Sequence, residues 1–168
     1  LRDENGAVVE ILGITRDINE RKLFEKRLIE AEKQYRFLFE NSPVGLFQMK
    51  YLGEYVNTNR SLLKIFDVAS LEAFQNLWDE IGLIPANAKP LQERSELLAK
   101  EKQVSDYEIH LLLPNGKSIW LRENSQIVEM EGQAIFVEGS FENYTTRRRQ
   151  DERMKYLAEH DHLTDLYN

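Results

Sequence analysis

Apolar and polar positions change their period several times along the chain, and each change marks an element. Over 107–113, Tyr107, Ile109, Leu111 and Leu113 alternate with Glu108, His110 and Leu112, the period-two pattern of a half-buried strand. A second run, 118–128, carries Ile119, Trp120, Leu121, Ile127 and Val128, and a third returns over 134–141. Asn115-Gly116 offers the left-handed backbone positions of a two-residue hairpin between the first two runs, and Glu131-Gly132 turns the second into the third. The pattern predicts a three-stranded antiparallel meander. Such a meander leaves one apolar face wet, so the preceding chain must supply a cover and an edge partner.

The upstream pattern supplies both. Over 20–40, Phe24, Leu28, Ala31, Tyr35 and Leu38 recur at spacings of four and three, with Glu25, Lys26, Glu30 and Lys33 elsewhere. This is a heptad-like helical seam, compatible with a coiled coil or with an amphipathic linker docked on its own domain. Asn19 is a candidate N-cap for that helix, and Ser42-Pro43 ends it. Short strands follow at 44–49 and 54–57, joined through Gly53. Helices are expected over 59–66, 71–80 and 91–102, with 82–90, containing Pro85 and Pro90, as loop. After the last strand, Thr145 is placed to cap a charged outgoing helix. The order predicts an α+β domain: a five-stranded antiparallel sheet, short helices over one face, and a cavity between the two layers.

Composition narrows the function. The chain has 168 residues, 42% hydrophobic and 30% charged, which suits a folded domain rather than disorder. Its net charge of -7 argues against nonspecific nucleic-acid binding. Arg147, Arg148 and Arg149 stand beside Asp151, Glu152 and Glu159, so the run reads as a solvated helix start. Cysteine is absent, which removes disulfide and thiolate chemistry and fits a reducing, cytoplasmic compartment. No long apolar run is present, so this stretch is expected to make no membrane contact, whatever a longer parent carries elsewhere.

Reactive constellations are missing as well. There is no His-Glu-x-x-His, no glycine-rich phosphate loop and no Gly-x-Ser-x-Gly elbow, so no catalytic residue is assigned and the chain itself is read as not an enzyme. His160 and His162 bracket Asp161 but lack a third ligand, and no metal site is assigned. His110 is read as an ordinary surface or satisfied histidine. No cofactor is evident. Residues available to line a pocket for a small ligand are Phe47, Tyr55, Asn57, Phe66, Trp78, Tyr107, Trp120, Arg122, Asn124 and Phe136; the competing role of the aromatics is core packing.

Two resemblances add to this. The span 35–145 resembles a PAS domain, the sensory box of signalling proteins. The likeness rests on Phe39-Glu40-Asn41-Ser42-Pro43-Val44-Gly45, on Tyr55-Val56-Asn57 followed by Asn59, and on Leu113-Pro114-Asn115-Gly116-Lys117-Ser118-Ile119-Trp120. The family's exit, a Gly and then Asp-Ile-Thr-Glu-Arg, is similar to Gly139 followed by Asn143-Tyr144-Thr145-Thr146-Arg147. It is closer still to Gly13 followed by Asp17-Ile18-Asn19-Glu20-Arg21, and Gly6/Gly132, Gly13/Gly139 and Arg21/Arg147 keep one constant offset. The tail, Asp161-His162-Leu163-Thr164-Asp165-Leu166-Tyr167-Asn168, resembles the opening of a GGDEF (diguanylate cyclase) domain.

The resemblance implies the following layout: 1–19 the end of a preceding PAS domain, 20–34 a helical linker, 35–145 the PAS domain, 146–160 a signalling helix, and 161–168 the start of a GGDEF domain. It implies a module that detects a small ligand or partner and relays its state through Asn143, Tyr144 and Thr145. The recipient would be a cyclase domain in the same chain, making cyclic di-GMP, within a homodimer formed through linker helices or the PAS domain. The alternative is a constitutive dimerisation scaffold without a ligand. Flavin photochemistry of the light-oxygen-voltage kind is excluded, because it requires a cysteine.

Overall fold

The computed structural model describes residues 5, 19–51, 53–129 and 135–159. The repeat positions before Asn19, the Glu131-Gly132 turn, the tail at 161–168 and both His160 and His162 lie outside them. The chain divides into two units, Leu1–Leu38 and Phe39–Asn168. Helix α1 (Asn19–Asn41) begins in the first and stops just before Ser42-Pro43, as the proline requires. Three i,i+4 ion pairs, Arg21–Glu25, Lys26–Glu30 and Glu32–Arg36, support its polar faces. The seam residues Phe24, Leu28, Tyr35 and Leu38 are all exposed.

The second unit runs β1 (Gly45–Lys50), β2 (Tyr55–Thr58), α2 (Arg60–Phe66), α3 (Leu71–Leu83), α4 (Pro85–Glu101), β3 (Gln103–Leu112), β4 (Ser118–Val128), β5 (Phe136–Asn143) and α5 (Thr145–Glu159). The strands form one antiparallel sheet in the order β2-β1-β5-β4-β3, so the meander joins the early strands through β5. The expected α+β architecture is the observed one. One face, formed by Phe47, Met49, Ile109, Leu111, Ile119, Leu121, Val137 and Phe141, is buried with Leu62, Phe66, Phe74, Ile81 and Leu98 of α2, α3 and α4. At Gly139 an added Cβ would lie 2.5 Å from Ser125 Cβ and 2.7 Å from the Phe47 ring. Glycine there lets Phe47 cross β5 and stack on Phe141 at 4.8 Å.

Asn59 fastens the beginning of the domain. It caps α2 by accepting from Leu62 N–H at 3.0 Å and accepts from Leu46 N–H at 2.9 Å. Its amide donates to the carbonyls of Phe39 and Val44 at 2.9 and 3.0 Å. Four bonds thus tie the end of α1, β1 and α2 to one buried side chain.

Three expectations are corrected. The interval 82–90 is not a loop: only Ile84 interrupts the helices, Pro85 opens α4, and Pro90 lies inside it. Proline suits the first helical position, where its missing N–H has no intrahelical partner anyway. The cost of Pro90 is offset by Asn87, whose amide donates to Ile81 and Leu112 carbonyls at 2.8 Å and accepts from Leu112 N–H at 2.8 Å. The β3–β4 turn is not a two-residue type either. Of its residues Gly116 alone has positive φ, at 80°, and Leu113 N–H reaches Lys117 O at 2.7 Å, which makes a three-residue loop 114–116. Pro114, with φ locked negative, selects that form. Thr145 does not cap α5 with its hydroxyl, which accepts from Trp120 N–H at 2.9 Å instead; Tyr144 O takes the first helical bond, from Arg148 N–H at 2.9 Å.

Candidate functional site

Arg94 lies on α4, whose later part the sequence predicts and whose first residues, 85–90, it leaves as loop. Asn87 pins the first turn of α4 against β3, and two turns later Arg94 projects toward β4. There it meets Glu123, which the sheet register sets opposite Tyr107 on β3 and Phe141 on β5, on the helix-covered face. Arg94 Nε donates to Glu123 Oε2 and Nη2 to Oε1, both at 2.6 Å, and Ser125 Oγ donates to Oε1 at 2.6 Å. Glu123 is 0% exposed and Arg94 6%. Burial works against the guanidinium charge, but the hydrogen bonds and charge of Glu123 outweigh it and hold Arg94 protonated above its ordinary range.

Tyr55 belongs to the same cluster. It is 4% exposed, its ring meets Phe74 and Trp78 edge-on, and its hydroxyl has no hydrogen-bond partner among the described residues. Burial pushes its ionisation well above the ordinary tyrosine value, with the charges of Arg94 and Glu123 acting in opposite directions.

A cleft of about 630 Å³ opens beside this cluster, between α3, α4 and the β1–β5 part of the sheet. Met49, Trp78, Leu91, Leu98 and Val137 make its apolar walls, and Arg94, Ser95 and Glu96 bring polar groups to it. The dimensions are those of a small-molecule site.

Of the residues expected to line a pocket, the structure brings five to the inner face. Phe47, Tyr55 and Phe66 are buried in an aromatic cluster with Phe74 and Phe141, and half-buried Trp78 lines the cleft. Half-buried Tyr107 reaches Pro90 O through its hydroxyl at 3.4 Å. The other five are not pocket residues. Asn57 is exposed on β2. Trp120, Arg122 and Asn124 alternate with the inward Leu121, Glu123 and Ser125 and therefore face away from the helices; Phe136 does the same beside Val137. Asn124 Oδ1 accepts from Asp106 N–H at 2.9 Å, holding the irregularity between Val104 and Tyr107 where Asp106 adopts φ 50°.

Trp120 and Arg122 join the exit instead. Trp120 stacks on His110 at 4.3 Å, and the Arg148 guanidinium lies 3.7 Å over its ring. Its backbone pairs with both Tyr144 N–H (3.1 Å) and Thr145 Oγ1. Asn143 Oδ1 accepts from Thr145 N–H at 3.0 Å, and Arg122 sits 5.1 Å over the Tyr144 ring. The three expected relay residues thus meet β4 directly at the start of α5.

Sequence reasoning missed Arg94, Glu123, Ser125 and Asn87. A signal for Glu123 existed: Ile119, Leu121, Glu123, Ser125 and Ile127 share one phase, and a polar pair inside an apolar phase marks an inward polar site.

No protein-family model matches the chain. Over 123 residues it is 28% identical to the two-component sensor PprA of Pseudomonas aeruginosa, covering 72% of this chain and 13% of that protein. Over 92 residues it is 27% identical to sporulation kinase A of Bacillus subtilis, covering 54% and 15%. The chain therefore spans less than a sixth of these relatives' length. Among solved structures, a PAS domain from Colwellia psychrerythraea superposes with a TM-score of 0.57 at 14% identity, over 70% of this chain and 99% of that one. The fold of this chain is the PAS fold.

Proposed function

We propose that the domain is a sensory module of a signalling protein, in which a small molecule seated in the cleft against α4 biases the exit helix α5. One observation carries the reading. The cleft ends on Arg94, whose buried partner Glu123 lies on β4, the strand whose Trp120 holds the first turn of α5. A ligand that moves α4 therefore pulls on the strand that anchors the output. The PAS fold and the sensor and kinase names of the relatives support this reading. Two arrangements with different ligand affinities are required, because a ligand shifts only an equilibrium it binds unequally.

The output is proposed as a diguanylate cyclase in the same chain, supported by the likeness of 161–168 to the opening of that domain. Pairing with a second copy through the exposed α1 seam of Phe24, Leu28, Tyr35 and Leu38 would set two outputs side by side. A cytoplasmic site suits that output. Among the described residues no helix is long and apolar enough to cross a membrane.

The second reading, a ligand-free dimerisation scaffold, draws on the aromatic cluster that fills the centre between sheet and helices. Native mass spectrometry of protein purified from its own host separates the two by reporting bound mass and subunit number together. Sensing is expected to show a bound small molecule. A ligand-free dimer with the same α5 amide exchange under every condition would leave the scaffold.

A further inference from the structure

The polar wall of the cleft is made by Arg94, Ser95 and Glu96. Glu123 already accepts three hydrogen bonds, two from Arg94 and one from Ser125. Arg94 uses Nε and Nη2 in that pair, so Nη1 lies outside it, on a residue that lines the cleft. Tyr55, whose buried hydroxyl has no partner among the described residues, stands outside the residues that line the cleft. A buried hydroxyl left unpaired is costly, and cores rarely tolerate one without a functional reason. The buried ion pair is equally unexplained by stability, since apolar replacements of similar volume usually do as well.

We propose that the cleft takes a neutral, largely apolar molecule bearing a carbonyl-type oxygen, which accepts a hydrogen bond from Arg94 Nη1. This rests on the cleft being the ligand site, and adds the ligand's chemical class. The apolar body is read from Met49, Trp78, Leu91, Leu98 and Val137. Neutrality is read from charge balance. Glu123 already compensates Arg94, so a ligand carboxylate would bring an unmatched negative charge to a desolvated wall, with Glu96 at its edge. An ammonium ligand would face the Arg94 charge, and the carboxylate at the cleft's edge, Glu96, already accepts from Gln92 Nε2 at 2.8 Å.

Three probes of one shape separate these possibilities: 2-naphthamide, 2-naphthoate and 2-methylnaphthalene, titrated into the full chain with ¹³C-methyl methionine, Met49 serving as the reporter in the cleft. The amide is expected to bind at least about tenfold more tightly than the other two. Glu123→Gln keeps the shape, frees the Arg94 charge and should turn the preference toward the naphthoate. Equal binding of all three at Met49 would overturn the neutral-acceptor inference and leave the cleft as a ligand site. No Met49 response to any probe would overturn both.

Discussion

Arg94 and Glu123, 29 positions apart, meet across the layer boundary through two parallel hydrogen bonds of 2.6 Å, with Glu123 wholly out of water. The pair ties the helix that walls the cleft to β4, the strand whose Trp120 N–H donates to Thr145 at the start of α5.

Removing one partner strands the other's charge in the interior. Arg94→Met or Glu123→Leu alone is expected to lower stability by about 3–5 kcal/mol, whereas the double substitution should return to within about 1 kcal/mol of the parent or exceed it. Urea unfolding of the four proteins closes the cycle. Additive losses would mean that the two groups do not act as a pair.

The unpartnered hydroxyl gives the second prediction. Tyr55→Phe should raise stability by about 1 kcal/mol at neutral pH. It should also change the alkaline limb. Burial raises the folded-state ionisation of Tyr55 above the ordinary 10.0, so its contribution is fully present below that value. As pH rises past it, the unfolded chain releases a proton that the folded chain retains, and stability falls. Urea melts between about pH 8 and about pH 11 should show the parent losing stability more steeply than Tyr55→Phe. Parallel curves would place Tyr55 in water.

Asn59 makes four hydrogen bonds from a fully buried position. Asn59→Ala leaves the Phe39 and Val44 carbonyls and two N–H groups without it, and should cost about 2–4 kcal/mol by chemical denaturation. Asn57→Ala, two residues earlier and exposed, should stay within about 0.5 kcal/mol.

At the exit, Thr145→Val removes the acceptor for Trp120 N–H, and Trp120→Ala removes the surface on which Arg148 lies. Either change is expected to speed amide exchange over the first turn of α5, with the β1–β2 pairing unchanged. Arg148→Lys should do so more weakly, because lysine keeps the charge but not the planar stack. Unaltered exchange at the start of α5 would detach β4 from the relay.

The elements legible in the chain were those whose burial is one-sided and regular. Alternation predicts β3, apolar runs bounded by the Asn115-Gly116 and Glu131-Gly132 turns predict β4 and β5, Ser42-Pro43 ends α1, and the pattern over 59–66 predicts α2. Only the start of α4, 85–90, escapes the sequence pattern, because Pro90 weighs against a helix locally while the bonds of Asn87 that offset it reach α3 and β3. The site was half legible for a related reason. Period two says that Trp120 and Leu121 face opposite ways but not which faces the helices, so the expected pocket residues Trp120, Arg122 and Asn124 fall on the outer phase.

Order of elements, their count and the antiparallel habit of the sheet follow from local pattern, since each reflects what one segment needs to bury. The inward phase of β4, the insertion of β5 between β1 and β4, and the meeting of Arg94 with Glu123 do not. Those depend on registers between strands and on a helix lying over a particular stretch of sheet. Only packing settles which of two equivalent phases is dry, and a carboxylate becomes a buried partner only where a guanidinium from another layer arrives to meet it.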